Sequence, residues 1–416
     1  MILIAGSTRR AQRRSYAYSF LGLYYNQENA PLNGVGLRRK QGVPTTTSAG
    51  LRDVIAATSG ICNVNGTEGK LSYRGYDIHD LADNSTFEEV IYLLWHGELP
   101  TRAQLEAHRQ ALKAESEVPT QILALIASFP QTASPMAVLR TAVSALPMYD
   151  PEAASMTYEA NLRKAVRLTA RIPTIVAAFE RLRNGHQPVT PKSEGSIASN
   201  LLYMLSGKEP DPRDAQVMDT ALILHADHEL NASTFAAREV ASTLADIYGA
   251  ITAAIATLAG PSHGGANEKV MQMLEAIGSL NNAEPWVTKA LESHERIMGF
   301  GHAVYTTEDP RATTLRRLSH DIGERTGNPI WYEISAKVEE IVGERKKLYA
   351  NVDFYSASAY RVLGIPTDQF TPIFACSRIA GWTAHVLEQY ANNRLMRPRA
   401  DYIGPGPRLY FDIDLR

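Results

Sequence analysis

Ser85-Thr86-Phe87-Glu88-Glu89-Val90-Ile91-Tyr92-Leu93-Leu94-Trp95-His96-Gly97 spells out a helix from start to stop. Ser85, followed three residues later by Glu88, has the form of a capping box, in which hydroxyl and carboxylate satisfy the first unpaired amides. Val90, Ile91, Leu93 and Leu94 then recur at helical spacing, and Gly97 supplies a left-handed stop. The same pattern returns at residues 101–114, 151–182, 193–206, 212–227, 234–258, 266–278, 311–323, 331–346 and 369–391. Strand alternation is convincing only near residues 61–73, where Asn65-Gly66 would turn one short β-hairpin. The expected fold is therefore mainly α. Residues 184–193, rich in Pro, Gly and charge, read as a surface loop, and no internal repeat is visible.

The chain has 416 residues, more than a single hydrophobic core usually serves, which predicts two domains or one domain with a sizeable subdomain. With 44% hydrophobic and 21% charged residues it has the composition of an ordinary globular protein. Lys and Arg number 42 against 44 Asp and Glu, a balance that argues against a general nucleic-acid or membrane-surface binder. The longest weakly apolar run, residues 250–260, is too short to span a bilayer. Cys62 and Cys376 are the only cysteines, so neither a disulfide framework nor a thiolate zinc site is expected, and a reducing, cytoplasmic setting follows. Residues 1–48 depart from the even charge: Arg9, Arg10, Arg13, Arg14, Arg38, Arg39 and Lys40 face the single acid Glu28. Such a segment reads as an N-terminal extension, either disordered or a leader of transit-peptide type that would send the chain to the mitochondrial matrix.

The chemistry is sought among eleven histidines. His79, His96, His108, His186, His294, His320 and His385 stand singly in ordinary contexts. In His225-Ala226-Asp227-His228-Glu229, the two histidines are i,i+3 neighbours at a helix end. That spacing suits a metal pair, a metal-free polar site or a buried hydrogen-bonded core. Gly260-Pro261-Ser262-His263-Gly264-Gly265-Ala266-Asn267-Glu268 leads into an apolar helix period, with Ser262 as the expected N-cap. His263 in the first turn would be kept neutral by the positive helix terminus, and could then donate to a developing enolate. In Met298-Gly299-Phe300-Gly301-His302, the glycines would free backbone groups to clasp a ligand. Asn351-Val352-Asp353 places a short acid at a helix start, where an N-cap is the plain explanation.

The His263 and His302 segments, Asn351-Val352-Asp353 and Ser377-Arg378, in this order and spacing, resemble the citrate synthase family. Tyr73-Arg74-Gly75-Tyr76, Phe87-Glu88-Glu89-Val90, His225-Ala226-Asp227-His228-Glu229 and Arg394-Leu395-Met396-Arg397-Pro398 match as well, so the resemblance covers residues 50–405. Three departures stand out: Ala303 where many bacterial members have Arg, Val64-Asn65-Gly66 for Ile-Asp-Gly, and Ala357 for Gly. Ala303 leaves one basic contact near the acyl-CoA unaccounted for.

The resemblance implies condensation of acetyl-CoA with oxaloacetate and hydrolysis of citryl-CoA, with no metal and no cofactor, acetyl-CoA being a substrate. By the same resemblance Asp353 is the base, His263 the donor at the thioester oxygen, and His302 the residue that polarises the ketone and supplies its proton. Arg311, Arg378 and Arg397 match the arginines that grip the dicarboxylate, with His228 a further contact and His225 structural. Met298, Gly299 and Gly301 match the acyl-CoA side. The implied architecture is a two-domain helical fold: residues 49–263 and 365–416 large, 264–364 small and closing over the site. A homodimer paired through the long helix at 234–258 is implied, with Arg397 entering the partner's site, and without nucleic acid or membrane. Residues 1–48 show no strand alternation, so neither NADH inhibition nor a hexamer is expected. Two rival readings are 2-methylcitrate synthase, using propionyl-CoA, and a metal-dependent hydrolase built on His225, His228 and Glu229.

Overall fold

The computed structural model describes residues 49–51 and 54–416, so the leader reading of residues 1–48 falls outside the described residues. After a 3-10 turn at Ala49–Leu51, β1 (Cys62–Asn65), β2 (Lys70–Tyr73) and β3 (Tyr76–Asp77) form an antiparallel sheet in that order. Cys62 pairs with Tyr73 and Asn65 with Lys70. The expected hairpin is present, extended by the two-residue β3. Its turn runs over residues 66–69, because the Asn65 side chain accepts the amides of Thr67 (3.2 Å) and Glu68 (3.1 Å). Turn chemistry of this kind is what Asn contributes.

Helices follow: α1 (Ile78–Asn84), α2 (Phe87–His96), α3 (Arg102–Ala114), α4 (Thr120–Ala127), α5 (Pro135–Ala145), α6 (Tyr158–Arg183), α7 (Ile197–Ser206) and α8 (Pro212–His225). The second half holds α9 (Ala232–Ser242), α10 (Ile247–Leu258), α11 (Ala266–Ile277), α12 (Leu280–Glu292), α13 (Pro310–Thr326), α14 (Ile330–Lys346), α15 (Val352–Val362) and α16 (Phe370–Ala391). The mainly α expectation holds, with several boundaries shifted for local reasons. The capping box of α2 lies one residue later than expected: Thr86 accepts from the Glu89 amide and Glu89 from the Thr86 amide. Ser85 instead closes α1, and Glu88 is buried, where it accepts the Ile197 amide at 2.7 Å. The expected single helix at 234–258 is two helices. Leu244 is left-handed (φ 65°), and Asp246 caps α10 by accepting from Gly249, so local capping overrides a continuous apolar period. Helices α1, α4, α5 and α12 lie outside the expected helical periods; α1 and α4 are short, α5 opens on Pro135, and α12 carries an internal Pro285.

The core centres on α16, whose residues are buried over nearly their whole length, with Trp382 and Arg378 among the largest enclosed side chains. It packs against α2, α6, α8, α9 and α10. Helices α11 to α15 pack among themselves, chiefly α13 on α15, α12 on α14 and α11 on α15. The C-terminal end of α8, the loop before α13, the N-terminus of α15 and the body of α16 are drawn together at one place, and there the candidate residues gather.

Candidate active site

Helix α8 ends at His225, whose Nδ1 lies 2.8 Å from the Ala221 carbonyl. A carbonyl can only accept, so Nδ1 carries the proton and Nε2 is left as a buried acceptor without a partner among the described residues. Burial drives this ring's pKa down to about 3. The expected i,i+3 pair on a helix therefore breaks after its first member: His228 lies beyond the helix, and its Nε2 is 3.1 Å from the Tyr305 hydroxyl. Among the described residues, no group of three or more His, Cys, Asp or Glu is placed to hold a metal.

The segment 299–309 supplies the next wall. Gly299 and Gly301 both have positive φ, and a Cβ on Gly299 would stand 2.7 Å from the Phe354 ring. Their backbone groups are mostly engaged by residues 349–351, not left free for a ligand as the sequence suggested. Gly299 accepts from the Asn351 amide at 2.9 Å, and Gly301 donates to the Tyr349 carbonyl at 3.0 Å. This pairing ties the His302 loop to the start of α15. His302 Nδ1 accepts two backbone amides, from Val304 (3.0 Å) and Tyr305 (3.1 Å). An amide can only donate, so the neutral ring carries its proton on Nε2. Burial, and then the Arg311 charge, push its pKa down to about 4.

Helix α13 opens with Asp309 as N-cap and Pro310 at its first position, which fixes Arg311 on the buried side. Asp309 grips Arg311 through both oxygens, 2.9 Å to Nε and 2.8 Å to Nη2. Arg378, on α16, is only 1% exposed yet makes a single hydrogen bond among the described residues, Nε to the His225 carbonyl at 2.7 Å. Its guanidinium lies over the Phe374 ring, 4.7 Å from the centroid, and burial lowers its pKa. A desolvated guanidinium with no carboxylate bonded to it is primed for an anion.

His263 lies in the turn preceding α11, not in the first turn of the helix as expected; Gly265 is the N-cap. Its pKa falls to about 4, and the cause is burial, followed by Arg378. Nε2 accepts the Ser233 amide at 3.3 Å and lies 2.8 Å from the Ser233 hydroxyl, itself held by Trp382. The neutral ring therefore presents an Nδ1–H donor. At the start of α15, the N-cap is Asn351, accepting the Asp353 amide at 3.1 Å, so the Asp353 carboxylate is free of capping duty. Its Oδ1 is buried with no hydrogen-bond partner among the described residues. Burial raises its pKa from the ordinary 3.8 to about 7, Asp309 adding to the shift while Arg311 and Arg378 oppose it.

Thus His228 and His302 stand together, ring centroids 5.1 Å apart; the Arg311 and Arg378 charges both reach His228 and Asp353, Arg311 also reaches His302, and Arg378 reaches His263. The family model described as citrate synthase, C-terminal domain, matches residues 50–399. The chain belongs to the citrate synthase family. Citrate synthase 2 of Bacillus subtilis is 53% identical over 372 residues, which is 89% of this chain and 100% of that one. A 2-methylcitrate synthase of Shewanella oneidensis is 43% identical over 368 residues, 88% of this chain and 97% of the relative. The citrate synthase of the archaeon Thermoplasma acidophilum, solved with carboxymethyl coenzyme A and oxaloacetate, superposes with a TM-score of 0.84 at 32% identity, covering 88% of this chain and 99% of that one. As a member of the citrate synthase family the protein is an enzyme of the acyltransferase type. Of the candidates, Arg397 alone is exposed and stands apart from the cluster, in the segment after α16. Sequence reasoning did not assign a function to Tyr305, Asp309, Ser233 or Trp382, which orient the histidines and Arg311. Only Asp309-Pro310 carried a signal, that of a helix start.

Proposed function

We propose that the protein condenses acetyl-CoA with oxaloacetate and releases citrate and CoA. The observation that carries this reading is Asp353, whose buried carboxylate has an oxygen without a partner among the described residues and a pKa raised to about 7 within reach of the Arg311 and Arg378 charges. A base for a carbon acid works best with a pKa near the working pH. Asp353 takes a proton from the thioester methyl while His263 Nδ1–H donates to the carbonyl oxygen, giving the enol. The enol carbon attacks the ketone of oxaloacetate, whose oxygen receives the proton of His302 Nε2. Water then cleaves the citryl thioester. Arg378 and Arg311 hold the substrate carboxylates with His228, and Met298 with the Gly299 and Gly301 segment flanks the acyl-CoA. Neither metal nor cofactor takes part.

Residues 264–364 act as the small domain that closes over 49–263 and 365–416 and keeps water from the enol. The mutual packing of α11 to α15 supports this division. The working unit is a homodimer in which Arg397 of each chain completes the other's site. The exposure of Arg397 and of its apolar neighbour Leu395, 59% exposed, supports that placement. The bacterial and archaeal relatives favour the cytoplasm over the mitochondrial matrix.

The Shewanella relative keeps propionyl-CoA in view, since one methylene is discriminated by only about 1–3 kcal/mol. Thiol release from acetyl-CoA and propionyl-CoA, with and without oxaloacetate and after exhaustive EDTA treatment, tests the reading. Release should require oxaloacetate, survive EDTA and be faster with acetyl-CoA. Faster release with propionyl-CoA would favour the 2-methylcitrate reading, and release without oxaloacetate would refute both.

A further inference from the structure

Tyr305 is 5% exposed and touches both histidines of the oxaloacetate end. Its backbone amide donates to His302 Nδ1 at 3.1 Å, and its hydroxyl lies 3.1 Å from His228 Nε2. The ring packs against both, 4.7 Å from the His302 centroid and 5.5 Å from that of His228, the two histidine centroids being 5.1 Å apart. The hydroxyl has no other hydrogen-bond partner among the described residues. Burial raises the phenol's pKa, so it keeps its proton, and His228 Nε2 is the acceptor at hand.

We infer that Tyr305 is a positioning residue that fixes the tautomers of His228 and His302 together, so that each ring turns an N–H toward the substrate. This rests on the reading of those histidines as oxaloacetate contacts. The argument is one of donors. A neutral imidazole has one N–H and one lone pair, and a lone pair facing a dianion repels it. The His302 lone pair is held by two amides, and the His228 lone pair by the Tyr305 hydroxyl alone. Without that hydroxyl, only the ring's hydrogen bond to its own backbone carbonyl opposes a move of the His228 proton to Nε2, which would leave a lone pair on Nδ1.

The loop itself is braced from behind. Thr306 donates to the Gly66 carbonyl at 3.0 Å, and Gly66 lies so close that a Cβ there would stand 2.1 Å from the Val304 carbonyl oxygen. The β1–β2 turn thus sets where Tyr305 sits.

Tyr305→Phe keeps the amide and the ring and removes only the hydroxyl. Its oxaloacetate KM should rise roughly tenfold, the scale of one lost hydrogen bond to a buried polar group, with the acetyl-CoA KM unchanged. In a His228→Ala background the same substitution should add almost nothing, because its effect runs through His228. Equal rises in both KM values, or a full effect in the His228→Ala background, would overturn the inference. Wild-type thiol release is measured first: if it does not need oxaloacetate, the functional reading itself falls. If it does and Tyr305→Phe is indistinguishable from wild type, only the role of Tyr305 falls. Nitrogen-15 histidine spectra of the wild type decide independently of any variant's folding. Protons on Nδ1 of His228 and Nε2 of His302 are expected, and a His228 proton on Nε2 would refute the proposal.

Discussion

Replacing Asp353 by Asn should make the protein more stable, and by an amount that depends on pH. The carboxyl is raised from 3.8 to about 7 in the folded chain, chiefly by burial. The folded state thus holds this proton more tightly than the unfolded state, and ionisation works against folding. Between pH 3.8 and 7 stability falls as pH rises; the penalty is absent below that window and complete above it. At 1.36 kcal/mol per unit, the full penalty is at most about 4 kcal/mol, and at pH 5 about 1.6 kcal/mol remains. Asn has the same shape and no charge, so it removes the penalty. Urea unfolding of both proteins at equal concentration should place the Asn variant's midpoint above wild type at pH 8, with the gap at pH 5 less than half as large. A gap of equal size at both pH values, or a wild type that is the more stable at pH 8, would refute a carboxylate held against its ionisation.

Three further outcomes follow from the same geometry. Arg378→Ala should weaken oxaloacetate binding by roughly 2–5 kcal/mol in calorimetry, since it strands a buried carboxylate without its partner; unchanged affinity would remove Arg378 from the site. Gly66→Ala pushes a methyl into the Val304 carbonyl and displaces the loop that holds His302, so kcat should fall by about tenfold or more with little loss of melting temperature. Normal kcat would show that the turn does not set the loop. Asp353→Ala and Arg397→Ala chains, each nearly inactive alone, should recover roughly a quarter of wild-type activity when co-refolded, because half the dimers then carry one intact site. Demonstrated heterodimers without recovery would place Arg397 elsewhere.

Much of this site was legible in the sequence because its residues stand in rigid local patterns. Glycines flanking His302, the Asn351 start of α15 and the Asp309-Pro310 opening of α13 each dictate a backbone course without help from the rest of the fold. What the sequence could not show is where residues 30 to 154 positions apart meet. Ser233 under His263, Tyr73 beneath the Asp227 backbone and Trp382 on Ser233 are such meetings. Helix ends were misplaced where two caps compete, as Ser85 and Thr86 do, and where the apolar period runs unbroken through a turn, as at Leu244. His263 shows the difference most clearly. A neutral ring was expected from a helix terminus, and the ring is held neutral by burial and Arg378 instead.

Asp353→Ala, assayed for both oxaloacetate binding and turnover, separates the base from the binding groups most directly. Oxaloacetate affinity should stay within about twofold of wild type while thiol release falls by around 10²–10⁴, the contribution of a positioned general base. Turnover within a factor of about ten of wild type would mean that another group removes the methyl proton, and lost oxaloacetate affinity with near-normal turnover would mean that Asp353 holds substrate and does not act on it.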